Sequence, residues 1–427
     1  MRALACSLAL LSGLAGAQAP APPAAAVQVD ATVSERTKEL LSFLKGAGSY
    51  DELFAPNFRS AISAEQFAAT TATLTASLGQ PMRIDTMAVP MRWHAQLTVA
   101  FERRSATMQM ALDPAPPHQI TGLRIVDQVT RDDTLARVEA DLRALPGTAA
   151  MGVYALGKAS PTPLLEVAGE KPQPLGSAFK LWVLAEAARQ ASGQPGRWRQ
   201  VVPIGPRSLP SGMLQAWPPA SPVTIQTLAT LMISISDNTA TDTLMAQLGR
   251  TAIDRAAASA GLSTPVLTTR EAFVLKGDEA LRTRWTALKP AGRAALLARD
   301  APRFAVTPLA TGVFANGPVA TDTVEWFASP RSTAALLDRI RVSGGEDTAR
   351  AILAVNPGVD TATAARFTYL GFKGGSEPGV LSLNFLVQTK SGHWFAVAVG
   401  WHRPDGDTTE AQLIPIATRV LRLLEGR

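Results

Sequence analysis

Residues 176–185 read Gly176-Ser177-Ala178-Phe179-Lys180-Leu181-Trp182-Val183-Leu184-Ala185, and this stretch decides the fold that the sequence predicts. Ser177 and Lys180 stand three residues apart, one turn of a helix, so their side chains share a face. The apolar residues that follow predict a buried helix, and burial lowers the pKa of a lysine towards the neutral form that a base needs. The unpaired N–H groups of the same turn can polarise a carbonyl oxygen. The stretch therefore predicts a serine nucleophile beside a lysine base.

Two further motifs distinguish this pair from a chance match. The Ser-x-x-Lys spacing alone is weak evidence, because Ser42-Phe43-Leu44-Lys45 matches it equally well. Downstream of Ser177, however, the chain contains Ser236-Asp237-Asn238 and, at the predicted end of a strand, Lys373-Gly374-Gly375. Each motif alone has a plain interpretation, a helix cap for the first and a strand-to-turn exit for the second. The three in this order favour a single site.

Together the three motifs resemble those of the class A β-lactamases and related penicillin-binding serine hydrolases. The resemblance covers about Asp132–Arg427. It implies an α/β (α+β) serine β-lactamase-like fold: an antiparallel sheet with terminal helices, an inserted all-helical subdomain, and a site in the crevice between them.

The resemblance also implies roles for individual residues. It makes Ser177 the nucleophile, Lys180 the base and Ser236 a proton shuttle. The backbone N–H groups of Ser177 and Ser376 would form the oxyanion hole. The substrate-binding residues that it implies are Asn238, Lys373, Gly375 and Ser376.

A fourth feature bears on turnover. Glu271 lies 35 residues after Ser236, where class A enzymes carry the glutamate that activates the deacylating water. A carboxylate suits that step, because an acyl-enzyme must be attacked by an activated water. The alternative is a structural ion pair between Arg270 and a neighbouring acid, and both interpretations are compatible.

The sequence also departs from the family pattern. Gly374 replaces the Thr or Ser whose hydroxyl helps to hold the carboxylate of a β-lactam. The asparagine expected after the loop glutamate is absent, since Leu275 is followed by Lys276. The stretch Lys276–Ser329, between that loop and the next clear helix, is long, and we expect it to cover or reshape the site.

Composition excludes several classes of function. The chain has 427 residues, of which 46% are hydrophobic and 18% charged, and its net charge of +6 includes no basic block. A nucleic-acid partner is therefore not expected. The resemblance described above implies a small-molecule acyl substrate instead. The four histidines, His94, His118, His393 and His402, lack metal-ligand spacing, so we expect no metal and no cofactor. The oligomeric state stays open.

The N-terminus predicts export. Residues 1–17 combine Arg2, the apolar core Leu8–Leu14 and a small-residue exit, a pattern typical of a cleavable signal peptide. A flexible Pro/Ala leader, residues 18–32, follows. The alternative, a short membrane anchor, is disfavoured because the apolar run is too short to cross a bilayer. The single cysteine, Cys6, lies too early for lipidation, so we expect a periplasmic or secreted protein without a stable membrane anchor.

Residues 33–128 predict a small α+β domain without a catalytic cluster. Ser34 is predicted to cap a first helix, and a second should cover Ser63–Leu78. Four strands follow, near Met82–Met87, Trp93–Phe101, Ala106–Leu112 and Ile120–Val126.

Residues 129–427 predict the hydrolase domain. Its helices should run from Ser177 to about Ile340. Asp407-x-x-Glu410 is predicted to form a capping box at the start of a final helix. The predicted strands are Met151–Leu156, Leu164–Val167, Arg366–Phe372, Leu381–Thr389 and His393–His402.

Three functions remain in consideration. The first is an exported serine hydrolase that opens β-lactams through an acyl-enzyme on Ser177. The second is a cell-wall D,D-peptidase, transpeptidase or esterase of the same fold, in which Glu271 is structural. The third is a non-catalytic binding protein built on this scaffold, which the intact polar residues of the motifs disfavour.

Overall fold

The computed structural model describes residues 31–130, 132–194, 196–309, 312–342 and 347–427. They form two compact units, which divide between Asp132 and Asp133. The predicted signal peptide and the predicted leader up to residue 30 lie outside the described residues. Among the helices of the described part, none combines the length and the apolar character needed to span a bilayer.

The first unit contains four helices followed by an antiparallel sheet. The helices are α1 (Ala31–Leu44), α2 (Tyr50–Leu53), α3 (Pro56–Ala61) and α4 (Ala64–Leu78). The strands pair in the order β1-β2-β3-β4 and are β1 (Pro81–Met91), β2 (His94–Phe101), β3 (Arg104–Leu112) and β4 (Ile120–Thr130). The helices and strands predicted for this region are thus present, with longer strands at both ends of the sheet.

Local sequence explains the ends of the helices. Ser63 caps α4 by accepting a hydrogen bond from the Gln66 N–H at 3.2 Å, and the Gln66 side chain accepts one from the Ser63 N–H at 2.9 Å. The predicted start of α1 at Ser34 is wrong, because α1 begins at Ala31. This extra turn places Val33 in the core, where it is fully buried.

The second unit is built on a five-stranded antiparallel sheet with the order β11-β12-β13-β5-β6. Its strands are β5 (Thr148–Ala155), β6 (Thr162–Val167), β7 (Gln173–Pro174), β8 (Val201–Pro203), β9 (Pro222–Thr224), β10 (Phe327–Ala328), β11 (Tyr369–Glu377), β12 (Val380–Gln388) and β13 (Trp394–His402). The short strands form two further pairs, β7 with β10 and β8 with β9. The chain thus closes one sheet from both ends of this unit, as the sequence predicts.

Helices cover both faces of this sheet. They are α5 (Leu135–Arg143), α6 (Lys180–Ala191), α7 (Ile225–Ser234), α8 (Asn238–Leu248), α9 (Arg250–Ser259), α10 (Thr269–Gly277), α11 (Glu279–Ala287), α12 (Pro290–Arg299), α13 (Ala301–Val306), α14 (Pro330–Val342), α15 (Thr348–Leu353), α16 (Thr361–Ala364) and α17 (Glu410–Glu425). The helices α6 to α16 lie between β6 and β11 in the chain, which confirms the predicted helical insertion.

Two cores result from this arrangement. On one face, Leu142 of α5 and Val420 of α17 pack with Phe385 of β12. On the other face, the α6 residue Trp182 belongs to a core that also contains Leu386 of β12. Because successive side chains of a strand point to opposite faces, β12 contributes to both cores and is buried along nearly its whole length.

One prediction about this unit is wrong. Asp407 does not form a capping box with α17. The N-cap residue is Thr409, and its side chain makes no capping hydrogen bond to this helix. The long stretch after Lys276 contains α11, α12 and α13, in agreement with the helices predicted from Ser177 to about Ile340. Two of these helices have a proline in their first turn, Pro290 and Pro302, where the missing N–H costs nothing.

Candidate active site

Ser177 lies in a 3-10 turn, Gly176–Phe179, that leads directly into α6. Ser177 is half-buried, whereas the other residues of the turn are buried. Gly176 has φ +50°, and a Cβ atom on it would lie 3.1 Å from the Ser376 amide nitrogen. A Cβ on Gly375 would lie 2.7 Å from the Ser177 amide nitrogen. The turn and strand β11 therefore approach each other so closely that both positions require glycine.

Lys180 is completely buried, and three acceptors surround its amine. Its Nζ donates to the Asn238 side-chain oxygen at 2.7 Å, to the Ser236 carbonyl oxygen at 2.7 Å and to the Ser236 hydroxyl at 3.0 Å. Burial holds the pKa of Lys180 well below its usual value, and the positive charge of Lys373 lowers it further. A buried amine with no carboxylate bound to it is suited to act as a base.

Ser236 receives hydrogen bonds from two lysines. The Nζ atoms of Lys180 and Lys373 lie 3.0 Å and 3.1 Å from its hydroxyl oxygen. A hydroxyl has two acceptor sites and one donor, so its own proton stays available for a third group. Ser236 has φ +59°, an uncommon value for serine, and Ser211 helps to hold it by donating to its carbonyl oxygen at 2.7 Å.

Lys373 reaches the same hydroxyl from strand β11. It is buried, and its Nζ also donates to the Gly374 carbonyl oxygen at 2.6 Å. Burial lowers the pKa of Lys373 to about 7. The group therefore changes charge within the physiological pH range.

Asp237 and Asn238 connect this cluster to the chain around it. Asp237 caps α8 by accepting from the Ala240 N–H at 2.8 Å, and it also accepts from the N–H groups of Met213 and Leu214 at 2.7 Å and 2.9 Å. Asn238 donates to the Leu209 carbonyl oxygen at 3.2 Å and accepts from Lys180. The Asn238 amide, predicted to contact substrate, is thus engaged with the candidate base.

The unusual glycine of the third motif has a steric explanation. A Cβ on Gly374 would lie 2.8 Å from a ring carbon of Phe372. That ring packs against Phe385 with the centroids 4.8 Å apart. A threonine or serine at this position would require the ring to shift, so glycine fits the observed packing better.

Glu271 is occupied by other partners. It is the third residue of α10, where its carboxylate accepts from the Thr268 N–H at 2.8 Å in a capping box. Both carboxylate oxygens also accept from the Arg250 guanidinium, at 2.5 Å and 2.7 Å. Arg270 instead donates to carbonyl oxygens, among them that of Thr307 at 2.7 Å. Among the described residues Arg270 therefore does not form the ion pair considered in the sequence analysis, and Glu271 pairs with Arg250 instead.

Sequence reasoning missed Asp242, one turn after Asn238 on α8. Its buried carboxylate accepts from the N–H groups of Thr269 and Arg270 at 2.7 Å and 2.9 Å, and from the Ser208 hydroxyl at 2.6 Å. Asp242 thereby fixes the start of α10 to the helix that carries the second motif.

A second missed group consists of Lys276, Glu325 and Glu377. The Lys276 Nζ binds both carboxylates, that of Glu325 at 2.9 Å. Glu325 also accepts from the Gly176 N–H at 3.1 Å, next to Ser177. These three residues come from separate segments of the chain, so no local motif indicated them.

The ionisable groups around Ser236 are two buried lysines. Two lysines converge on Ser236, and within the described ranges no group of three His, Cys, Asp or Glu side chains is arranged to hold a metal ion. Such a site suits a carbonyl-bearing substrate with a negative charge.

The chain is similar to several solved structures and matches one family model. Similar solved structures are a mutant of PBP-A in an acyl-enzyme complex with penicillin G (17% identity over 68% of this chain and 96% of that one, TM-score 0.48) and a β-lactamase from Sphaerobacter thermophilus DSM 20745 (19% identity over 68% and 97%, TM-score 0.45). No curated protein sequence matches. The model of the beta-lactamase enzyme family matches residues 134–422, and the chain belongs to that family.

Proposed function

We propose that this protein is a serine acyl hydrolase in which Ser177 attacks the carbonyl carbon of β-lactams or cell-wall peptides. The observation that carries the proposal is the convergence of the Lys180 and Lys373 amines on the Ser236 hydroxyl, at 3.0 Å and 3.1 Å. A binding scaffold would have no use for two buried amines around one hydroxyl, because burying ionisable groups without a carboxylate partner is costly.

The proposed reaction begins with the neutral form of Lys180. This amine accepts the Ser177 hydroxyl proton while Ser177 Oγ bonds to the carbonyl carbon. The hydrogen bonds of Lys180 now run to Ser236 and Asn238, and catalytic contacts often tighten only once substrate is bound. When the carbon–nitrogen bond breaks, Ser236 donates its proton to the leaving nitrogen and is reprotonated by Lys180.

Two further parts of the site complete this proposal. The N–H groups of Ser177 and Ser376 stabilise the oxyanion, and Gly375 permits their close approach. The protonated form of Lys373 attracts the carboxylate of the substrate. Without a hydroxyl at Gly374, that carboxylate has one partner fewer, so we expect weak initial binding.

The fate of the acyl-enzyme depends on Glu271. Its carboxylate is bound by Arg250 and by its own capping box, which favours a structural role. We therefore propose slow deacylation of β-lactams and a physiological role on cell-wall peptides. Turnover of β-lactams with Glu271 as the base is the second candidate, because its position after the second motif matches that expected for such a base.

The test follows the intact mass of the purified protein with benzylpenicillin over time, together with loss of the free drug. We expect a covalent adduct on the parent protein whose lifetime is longer than the time needed to form it. Ser177→Ala should form no adduct. Ser42→Ala is the matched control, since Ser42-x-x-Lys45 has the same spacing, and it should label normally. An adduct on Ser177→Ala, or none on the parent protein, would contradict the proposal.

Glu271→Gln separates the two candidates. If Glu271 is structural and deacylation is slow, Glu271→Gln should change the lifetime of the adduct by less than about threefold. Loss of the Arg250 pair should nevertheless lower the thermal stability of this variant. An adduct lifetime that rises 100-fold or more would identify Glu271 as the deacylation base.

We also propose export and a separate N-terminal domain. The support for export is the signal-like composition of residues 1–17, and fractionation of a tagged chain would test it. The support for a domain over residues 33–128 is the separate core that includes Leu40, Phe54 and Leu97.

A further inference from the structure

The turn before Ser177 is held by a segment far away in the chain. The Trp326 carbonyl oxygen accepts from the Leu175 N–H at 2.9 Å, and a Glu325 carboxylate oxygen accepts from the Gly176 N–H at 3.1 Å. The Trp326 ring stacks on Phe179 with the centroids 4.0 Å apart and the planes 2° from parallel. Three contacts thus fix the backbone on both sides of the nucleophile.

Glu325 can serve in this position because Lys276 compensates its charge. The side chains of Glu325 and Lys276 are 0% and 1% exposed, and their ion pair measures 2.9 Å. Lys276 also binds Glu377, which directly follows Ser376 on β11. Burial and the neighbouring Glu325 raise the pKa of Glu377 well above its usual range, so that Glu377 retains a proton more readily. One lysine therefore links the segment that holds Gly176 to the strand that carries Ser376.

We infer that Lys276, Glu325 and Glu377 form a positioning unit for the oxyanion hole, which sets the distance between the Ser177 and Ser376 amides. Glu325 acts on the Ser177 side through the Gly176 N–H, and Glu377 lies beside Ser376 on the other side. Lys276 joins the two carboxyl groups. This inference rests on the proposed function for its kinetic consequence, but not for its structural one.

The test compares Glu325→Leu with Glu325→Gln. Leucine removes the acceptor of the Gly176 N–H, whereas glutamine retains one. We expect Glu325→Leu to lower the rate constant of acylation by benzylpenicillin about 30-fold or more, since loss of an oxyanion-hole donor costs about 10²–10³-fold. The initial binding constant should change less than about threefold, and Glu325→Gln should recover most of the rate constant.

Two further variants address folding. Glu186→Leu is the matched control. Glu186 lies on α6 and is buried like Glu325, but it pairs with Arg189 and not with a residue next to Ser177. It should lower thermal stability without changing the acylation rate constant. The double variant Lys276→Met with Glu325→Leu leaves no unpaired buried lysine, and it should be as slow as Glu325→Leu alone.

Hydrogen exchange of the Gly176 amide supplies a readout that needs no acylation. We expect faster exchange in both Glu325→Leu proteins and parental exchange in Glu186→Leu. Parental exchange at Gly176, or an acylation rate constant equal to that of the Glu186→Leu control, would overturn the inference. If the parent protein is never acylated, the proposed function fails, and the exchange data alone decide whether this unit positions the turn.

Discussion

Two buried lysine sites in the second unit differ in what surrounds the amine. Lys180 and Lys373 contact hydroxyl, amide and carbonyl oxygens, and burial lowers the pKa of both. Lys276 is equally buried, but it contacts Glu325 and Glu377, whose charges raise its pKa against the effect of burial. Similar burial therefore gives opposite results, because a neutral acceptor does not compensate the cost of the charge and a carboxylate does.

This difference separates the lysines that we propose to take part in the reaction from the lysine that stabilises the structure around it. A lysine with a lowered pKa has a neutral fraction near pH 7 and can accept a proton. A lysine between two carboxylates stays charged and can only attract. The predictions below test whether the acceptors of each lysine, and not its burial, decide its role.

The largest effect is expected from Lys180→Met. Loss of the proposed base should lower the acylation rate constant by benzylpenicillin about 10³-fold, within the range that general-base residues contribute. Lys45→Met, in the matching spacing of the first unit, is the control and should retain the parental rate constant. Stopped-flow or quenched mass measurements give both values. A Lys180→Met protein that is acylated at a tenth of the parental rate or faster would remove Lys180 from the mechanism.

Methionine substitutions of Lys276 and Lys373 should change stability in opposite directions. Lys276→Met leaves two buried carboxylates without their cation and should lower the free energy of unfolding by about 3–5 kcal/mol. Lys373→Met removes a costly buried charge and should raise it by about 1–3 kcal/mol at pH 6. Denaturant unfolding measures both, and the same sign for both variants would contradict the comparison.

The pH dependence of the same experiment has a definite sign. An unfolded lysine keeps its proton up to about pH 10.4, whereas folded Lys373 releases it at about pH 7. The unfolded state therefore binds more protons between these values, so stability should rise with pH from 7 upwards. Lys373→Met should reduce this rise.

The parts of the site that could be predicted lie in short motifs. Ser177 and Lys180 lie within four consecutive residues, and Ser236 is marked by the two residues after it. By contrast, Lys276 and Glu325 are 49 residues apart, and Lys276 and Glu377 are 101 apart. Only the tertiary fold brings these three together, and a lone Lys or Glu in a sequence is normally a surface residue.

In the fold, too, features set by neighbouring residues could be predicted, whereas contacts between distant residues could not. The end of α4 at Gly79 could be predicted, because a local cap sets it. The region after Lys276 could be predicted as helical but not divided into its separate helices. Pro290 and Pro302 each lie in the first turn of a helix, where a proline starts a helix instead of breaking it. The Arg250 pair of Glu271 was missed because Arg250 lies on another helix, 21 residues earlier.

Asn238→Asp should make Lys180 resemble Lys276. The substitution places a carboxylate oxygen 2.7 Å from the Lys180 Nζ, where the amide oxygen now lies. A carboxylate at this distance raises a lysine pKa by about 1–2 units, so acylation at pH 7 should slow, by at most about 10–100-fold, and recover as the pH rises. A rate deficit that is the same at pH 7 and pH 9 would show that Asn238 acts in another way, such as by contacting substrate.

The smallest effect concerns how Lys373 binds the substrate carboxylate. Because its pKa is about 7, its charge is present below pH 7 and is lost above it. The initial binding of benzylpenicillin should therefore weaken by up to about tenfold per pH unit above 7. Lys373→Arg should flatten this profile, since an arginine keeps its charge throughout this range. Benzylpenicillin methyl ester, which has no carboxylate, is the matched substrate control: its binding should show no such slope with the parent protein. A slope that persists with the ester would assign the titration to Lys180 or to the protein as a whole. Lys373 would then act by its hydrogen bond to Ser236 and not by attracting the substrate carboxylate.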